Sequence, residues 1–159
     1  MANKEDIQRF LHYISQIESS GGKNLDHPII EKGRHAGTSA QGQYGVMPDT
    51  MTNLEDRHPS SFTDTSTPDD YAKVYANDVL NKAKGDETLA AGLWTNGQFT
   101  KPEKYEDIRS YPYAQKYDKM RKEIPYALDA NPYQEKFEDE QEQKQNPDTF
   151  RLLKGLVRK

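Results

Sequence analysis

The sequence contains no cysteine, which excludes both a disulfide framework and a cysteine-ligated metal site. It also lacks any apolar run of membrane-spanning length, so we expect no membrane partner. No apolar segment of the secretory type follows Met1, which predicts that the chain is made and folded in a cytoplasm without a signal peptide. Apolar residues form only 33% of the chain and the mean hydropathy is -1.10, so the core must be modest.

The sequence also lacks a strong excess of charge of either sign, since 22 Lys and Arg residues nearly balance 26 Asp and Glu residues. Charged residues reach 30% of the chain but are interspersed, and the net charge of -4 argues against a nucleic-acid partner. The 159 residues are enough for one domain with an appendage. Ten Tyr, five Phe and one Trp supply much of the surface that can be buried.

Helical spacing and capping residues predict a mainly helical domain with four helices in its first hundred residues. The predicted helices span residues 4–18, 49–55, 68–83 and 87–94. Their predicted N-caps are Asn3, Asp49, Thr67 and Asp86. The small residues Ala90, Ala91 and Gly92 are expected to let another helix approach closely.

Between the first two helices lies a long segment, residues 21–48, that is rich in Gly, Ser, Thr and Asn. A loop of this length in a compact chain is usually functional, and we expect residues 43–47 to belong to a small hairpin. The expected fold is therefore mainly α, of the α+β kind, with this loop or hairpin beside a cleft.

The composition changes after Thr100, where Lys, Glu, Tyr and Asp dominate and prolines separate short helices. Residues 113–124 keep helical spacing, residues 134–145 are almost wholly polar, and a last helix begins at residue 146. We therefore expect one domain over residues 1–105 and a Tyr-rich helical extension over residues 106–159. The terminal helix, which carries Phe150 and Leu153, has few neighbours of its own, so we expect it to dock on a partner.

Three short stretches carry the functional signal. Glu18-Ser19 ends the first predicted helix, Gly42 to Thr50 reads Gly-Gln-Tyr-Gly-Val-Met-Pro-Asp-Thr, and Gly92 to Gly97 reads Gly-Leu-Trp-Thr-Asn-Gly. A helix end followed by glycines holds a carboxylate rigidly and lets the chain turn away from it.

The order and spacing of these stretches resemble the lysozyme-like superfamily, in particular the lytic transglycosylases that cut peptidoglycan, many of them from phages. In that family a catalytic acid followed by Ser ends a helix, as at Glu18. A Gly-Leu-Met-Gln-Leu-Met-Pro-x-Thr signature follows, matched at Gly42, Met47, Pro48 and Thr50. The resemblance covers roughly residues 5–100.

The third signature of the family, Ala-Ala-Tyr-Asn-Ala-Gly, corresponds to residues 92–97, with Trp94 at the aromatic position. Three family residues are replaced. In the second signature the family's Met falls on Tyr44 and its Gln on Gly45, and in the third signature its Asn falls on Thr95. The resemblance implies that Glu18 is the catalytic residue. It also implies a substrate-binding set that consists of Ser19, Tyr44, Met47, Trp94 and Thr95.

A glycosidase acid must keep its proton near neutral pH, which an apolar pocket achieves by disfavouring the charged form. We expect the walls of that pocket to come from Ile14, Ile17, Val46, Met47 and Trp94. In the transglycosylase route implied by the resemblance, Glu18 protonates the bond between N-acetylmuramic acid and N-acetylglucosamine. It then deprotonates the muramic 6-hydroxyl, which closes a 1,6-anhydro ring. Inverting hydrolysis would need a second carboxylate, for which the candidates are Asp26, Glu31 and Asp49.

Other side chains have simpler interpretations. Tyr44 and Trp94 either stack on sugar rings or belong to the core. His27, His35 and His58 lie at spacings unrelated to metal sites, so we expect no metal and no cofactor. Ser19 and Ser20 have no evident His base and are expected to hold the helix end or orient Glu18.

The sequence thus predicts a phage-encoded lytic transglycosylase that acts on bacterial peptidoglycan. We expect it to be carried in the virion, with virion or tail proteins as partners of the extension. One alternative is a muramidase that acts at host lysis. The other is a virion structural protein that keeps the fold with a weakened site, a reading favoured by Gly45 and Thr95.

Overall fold

The computed structural model describes residues 2–33 and 36–126, and this part of the chain is mainly helical, as predicted. It contains six α-helices and two short 3₁₀ segments, Pro59–Ser61 and Pro102–Lys104. The α-helices are α1 (Lys4–Ser19), α2 (Pro48–Arg57), α3 (Pro68–Lys82), α4 (Glu87–Asn96), α5 (Tyr105–Arg109) and α6 (Pro112–Glu123). None of the described helices is long and apolar enough to cross a membrane.

Three of the four predicted N-caps are confirmed. The side chain of Asn3 accepts a hydrogen bond from the amide of Asp6, and Asp86 accepts one from the amide of Leu89. Thr67 is the N-cap of α3 and forms a capping box with Asp70. These bonds satisfy amides that have no partner within the helix.

The predicted cap of α2 is wrong by two residues. Met47 occupies the N-cap position, Pro48 begins the helix, and Asp49 lies in the first turn. Proline favours this position because its φ is already helical and it has no N–H to satisfy. Asp49 still interacts favourably with the helix dipole from the first turn.

The core forms where α4 packs against α3, α5 and α6, while α1 packs against α3 and α6. Phe10 of α1 lies at its centre, with its ring centroid 5.7 Å from that of Trp94 on α4 and 5.4 Å from that of Tyr117 on α6. Phe10, Tyr117 and Leu93 are fully buried. An aromatic cluster therefore replaces much of the aliphatic core that the composition lacks.

The close helix approach predicted at residues 90–92 occurs between α4 and α5. A β-carbon added at Gly92 would lie 2.1 Å from Cγ2 of Ile108 and 3.0 Å from its carbonyl oxygen. Ile108 is itself fully buried. Gly92 thus permits a contact that no other residue would allow without movement of α5.

The small hairpin expected at residues 43–47 is reduced to one antiparallel bridge between Gln41 and Val46. Gly42 and Gly45 have positive φ values and turn the chain tightly between the two bridge residues. Since α2 begins at Pro48, only one residue separates the bridge from the helix. The described residues consequently contain no regular strand, and the β part of the expected α+β fold is not present in them.

The compact unit spans Met1–Ile124 and so extends past the domain end predicted at residue 105. The reason is that α6 contributes Ala114 and Tyr117 to the core, where both are fully buried. Residues 106–124 are thus part of the domain rather than an appendage. The polar run at residues 134–145 and the helix predicted from residue 146 onward lie outside the described residues.

Candidate active site

A cleft of about 360 Å³ brings together all three stretches that the sequence singled out. Its lining comprises Glu18, residues 45–47, 49, 50, 53 and 94–99, and Tyr75. Glu18 comes from the end of α1, the second stretch from the turn before α2, and the third from the end of α4 and the loop after it. Residues as far apart in sequence as Glu18 and Phe99 thus line one cleft.

Glu18 is the penultimate residue of α1, and the chain beyond it is turned sharply. Ser20 caps the helix in the left-handed conformation with φ of 53°, and Gly21 follows with φ of 75°. Ser19 secures this turn, because its hydroxyl donates to the carbonyl of Gln43 at 2.7 Å and accepts from the amide of Gly22 at 2.9 Å. The helix end that carries Glu18 is therefore fixed to the glycine-rich loop.

The carboxyl group of Glu18 is partly buried, and its one described hydrogen-bond donor is a tyrosine. Tyr113 of α6 donates from its hydroxyl to Oε1 at 2.6 Å. Burial raises the pKa of Glu18, while the Tyr113 hydrogen bond and the nearby charges of His27 and Lys116 oppose part of that rise. A raised pKa is the property that a general acid requires near neutral pH.

The Tyr113 hydroxyl keeps its proton near neutral pH. Its burial and the adjacent carboxyl group of Glu18 raise the pKa of its hydroxyl well above 10. The phenol can therefore donate that proton to the hydrogen bond with Oε1 of Glu18.

Gly45 lies directly against Glu18. A β-carbon at this position would be 2.6 Å from Oε2 of Glu18 and 3.0 Å from its Cδ, and the φ of Gly45 is +63°. The backbone conformation therefore favours glycine here, and any side chain at this position would displace the carboxyl group of Glu18. Gly45 stands where the signature that this stretch resembles has Gln, and it is compatible with the position that Glu18 occupies.

Three of the five predicted substrate-binding residues line the cleft: Met47, Trp94 and Thr95. Trp94 serves mainly the core, because it is 7% exposed and packs on Phe10 and Tyr75, but part of it reaches the cleft. Thr95 donates from Oγ1 to the carbonyl of Gly92 at 3.2 Å, which leaves its lone pairs for other donors.

The other two predicted residues, Ser19 and Tyr44, are buried and are not part of the cleft lining. Ser19 holds the helix end, which is the structural role considered for it from the sequence. Tyr44 is 2% exposed and belongs to the core. The residue beside each of them, Glu18 or Gly45, does line the cleft.

The expected apolar walls are partly present. Val46, Met47 and Trp94 line the cleft, whereas Ile14 is fully buried in the core and Ile17 is not part of the lining. Both isoleucines precede Glu18 on α1, whose inner face packs against α3 and α6 rather than the cleft. Tyr75, a residue of α3 that the sequence did not single out, lines the cleft instead.

Of the three carboxylates considered for water activation, only Asp49 lines the cleft with Glu18. Asp26 and Glu31 lie in the loop and are not part of the lining. The structure therefore reduces the sequence alternatives for a second carboxylate to Asp49.

Four further residues at the site were not predicted from the sequence. Asn53, Gln98 and Phe99 line the cleft, and Tyr113 donates a hydrogen bond to Glu18. Helical spacing did place Tyr113 on an apolar stripe, but nothing in that pattern predicted that its hydroxyl would meet Glu18. Gln98 and Phe99 directly follow the third signature, and this adjacency was the signal available for them.

Among the described residues, no group of three or more His, Asp or Glu side chains is arranged to hold a metal ion. His27 contacts the carbonyl of Gly42 at 2.7 Å, and His58 lies 3.0 Å from Oδ2 of Asp78. His35 lies outside the described residues.

Comparison of the chain with protein-family models, curated proteins and solved structures finds no match.

Proposed function

We propose that this chain is a peptidoglycan-cleaving glycosidase of the lysozyme-like kind, acting as a lytic transglycosylase with Glu18 as its general acid and base. The observation that carries the proposal is the single cleft in which Glu18, the Gly45–Thr50 segment and the Trp94–Gly97 segment meet. The raised pKa of Glu18 supports it, since the acid must retain a proton to protonate a glycosidic oxygen.

In the proposed reaction, Glu18 donates its proton to the oxygen that joins N-acetylmuramic acid to N-acetylglucosamine, and that bond breaks. The glucosamine leaves as an alcohol with that proton. Glu18, now a carboxylate, takes the proton of the muramic 6-hydroxyl as this oxygen bonds to C1. The product is a 1,6-anhydro ring, and Glu18 ends protonated, as it began. Tyr113 keeps the carboxyl group oriented through both proton transfers.

A second candidate is hydrolysis, and one observation favours it. Asp49 lines the same cleft and is the second carboxylate that an inverting enzyme would need. In such enzymes the two carboxyl groups lie about 6.5–9.5 Å apart so that a water molecule fits between them. The products of digestion distinguish the two reactions.

The virion structural protein with a weakened site remains the proposal of a different class. Gly45 was one reason for it, yet the contact between Gly45 and Glu18 gives this glycine a role in an intact site.

The proposed setting is a phage particle in which the enzyme opens the host wall locally, with the residues after Ile124 as the segment for virion or tail partners.

The test is clearance of a purified peptidoglycan suspension by the wild type and by Glu18→Gln. General acid–base catalysis contributes roughly a hundredfold to ten-thousandfold, so the variant should lose at least a hundredfold in rate. Glu55→Gln is the matched control, because Glu55 also accepts a hydrogen bond from a tyrosine, Tyr71, but is not part of the cleft lining. Equal inactivity of wild type and Glu18→Gln would favour the structural protein.

A further inference from the structure

One aromatic ring that lines the cleft, that of Phe99, is largely exposed. Phe99 is 60% exposed and belongs to the cleft lining. Among the described residues, the other large apolar side chains with such exposure, which are Leu25, Ile29, Tyr111 and Ile124, do not line it. A large apolar side chain left in water beside a cleft is informative, because its burial by a ligand would be favourable.

The Phe99 ring is held from two helix ends. The guanidinium carbon of Arg57 at the end of α2 lies 5.2 Å from the ring centroid, and Nζ of Lys82 at the end of α3 also lies at 5.2 Å. Arg57 is itself fixed by an ion pair with Asp78. Cations over a ring face attract it, so both contacts favour one position of the ring. A ring restricted in this way loses less conformational entropy on binding.

The residue before it, Gln98, presents an unusual polar group. Gln98 is 3% exposed, lines the cleft, and its Oε1 is buried without a hydrogen-bond partner among the described residues. A buried acceptor without a donor costs free energy, and such atoms in a folded protein call for an explanation. An N–H donor from a ligand in the cleft would supply the missing partner.

We propose that Gln98 and Phe99 form a subsite for one N-acetylated pyranose of the glycan strand. The C–H face of the sugar stacks on the Phe99 ring, and the acetamido N–H donates to Oε1 of Gln98. An N-acetylated sugar is the ligand class that offers a flat apolar face together with an amide donor. The subsite rests on the proposed function of the same cleft, but neither residue belongs to the three signatures that led to that function.

The test is isothermal titration of the full chain carrying Glu18→Gln, which binds without cleaving, with a hexamer of β-1,4-linked N-acetylglucosamine. Adding Phe99→Ala should weaken binding about tenfold, and adding Gln98→Met should have a similar effect. Phe99→Tyr should keep the affinity because it preserves the ring face. Ile29→Ala is the matched control and should change nothing, because Ile29 is an exposed apolar side chain outside the cleft.

Two further readouts separate binding from structure and chemistry. Gln98→Met should unfold at the same temperature or higher, since it removes an unpartnered buried oxygen. A lower unfolding temperature with unchanged affinity would overturn the role of Gln98. A glucose hexamer, which lacks the acetamido group, should bind more weakly, and equal binding of the two hexamers would overturn the acetamido assignment.

The subsite and the proposed function fail in distinguishable ways. If Phe99→Ala binds the hexamer as tightly as its parent, or the parent does not bind it, the subsite is overturned, even where wild type clears peptidoglycan in a Glu18-dependent manner. If wild type does not clear peptidoglycan while the hexamer binds in a Phe99-dependent manner, the subsite stands and the proposed function fails.

Discussion

The hydroxyl of Tyr113 donates a 2.6 Å hydrogen bond to Oε1 of Glu18, joining two residues that are 95 positions apart. Glu18 lies at the end of α1 and Tyr113 in the first turn of α6. The helix that sequence reasoning assigned to an extension therefore supplies the hydrogen bond that orients the candidate catalytic acid. This contact makes α6 part of the candidate active site.

Replacement of Tyr113 by Phe should shift the pH profile of peptidoglycan cleavage. The Tyr113 hydrogen bond favours the charged carboxylate and lowers the pKa of Glu18, against the larger effect of burial. Its loss leaves burial less opposed, so the pKa of Glu18 should rise. Because the acid acts in its protonated form, the alkaline limb of kcat/KM should move to higher pH.

Tyr117→Phe is the matched control for that experiment. Tyr117 also lies on α6 and donates to a carboxylate, that of the buried Glu87, at 2.7 Å. Its loss should lower the free energy of unfolding by about 1–3 kcal/mol without moving the alkaline limb. An unshifted limb in Tyr113→Phe, or the same shift in both variants, would count against orientation of Glu18 by Tyr113.

Gly45→Ala should impair activity beyond its effect on stability. The added β-carbon would lie 2.6 Å from Oε2 of Glu18, so the carboxyl group must move, and we expect a loss on the order of a hundredfold in rate. Gly85→Ala shares a positive φ but has no atom within 4 Å of the new β-carbon. It should cost about 1–2 kcal/mol in stability and leave activity intact. Equal activity of the two variants, measured by peptidoglycan clearance at a temperature where both are folded, would contradict the contact.

The raised pKa of Glu18 also predicts how stability depends on pH. A carboxyl group whose pKa is higher in the folded than in the unfolded chain binds more protons when folded. Its contribution therefore favours folding at low pH and is lost as pH rises from the ordinary value near 4.5 through the raised one. Glu18→Gln lacks this titration. Its unfolding free energy relative to wild type should rise across that pH window, and a constant difference in urea titrations would refute the shift.

Gly92→Ala should destabilise the fold through the contact between α4 and α5. The new β-carbon would meet Cγ2 of Ile108 at 2.1 Å, and overpacking of this kind costs about 1–3 kcal/mol. The cost should shrink when Ile108 is also replaced by Ala, because the colliding methyl group is then absent. A double-mutant cycle of unfolding free energies measures this coupling, and strict additivity would exclude the collision.

The helices could be predicted because their signals are local. Residues 67–70 combine an N-cap Thr, a Pro at the first helical position and an acidic third residue, which together predict a helix start. In the structure Thr67 and Asp70 form a capping box there. The start of α2 was missed by a small margin, since Asp49 suits both an N-cap and a first turn, and Pro48 decides between them.

The site was less predictable, because it depends on which faces meet in three dimensions. Glu18, Met47 and Trp94 were accessible from short motifs, and all three line the cleft. The Tyr113–Glu18 hydrogen bond and the orphaned Oε1 of Gln98 arise only once α6 and the loop after α4 are packed. Periodicity indicates that a residue is buried, but it does not indicate what its polar atom contacts.

Catalysis by Glu18 is tested most directly by mass spectrometry of the fragments that wild type and Glu18→Gln release from purified peptidoglycan. Wild type should release strands that end in 1,6-anhydro-N-acetylmuramic acid, and Glu18→Gln should release at least a hundredfold less. Reducing ends that depend on Glu18 would show that the reaction is hydrolysis rather than transglycosylation, with Asp49 as the candidate base. Equal fragment yields from the two proteins, or none from either, would contradict the central claim that Glu18 cleaves the glycan strand.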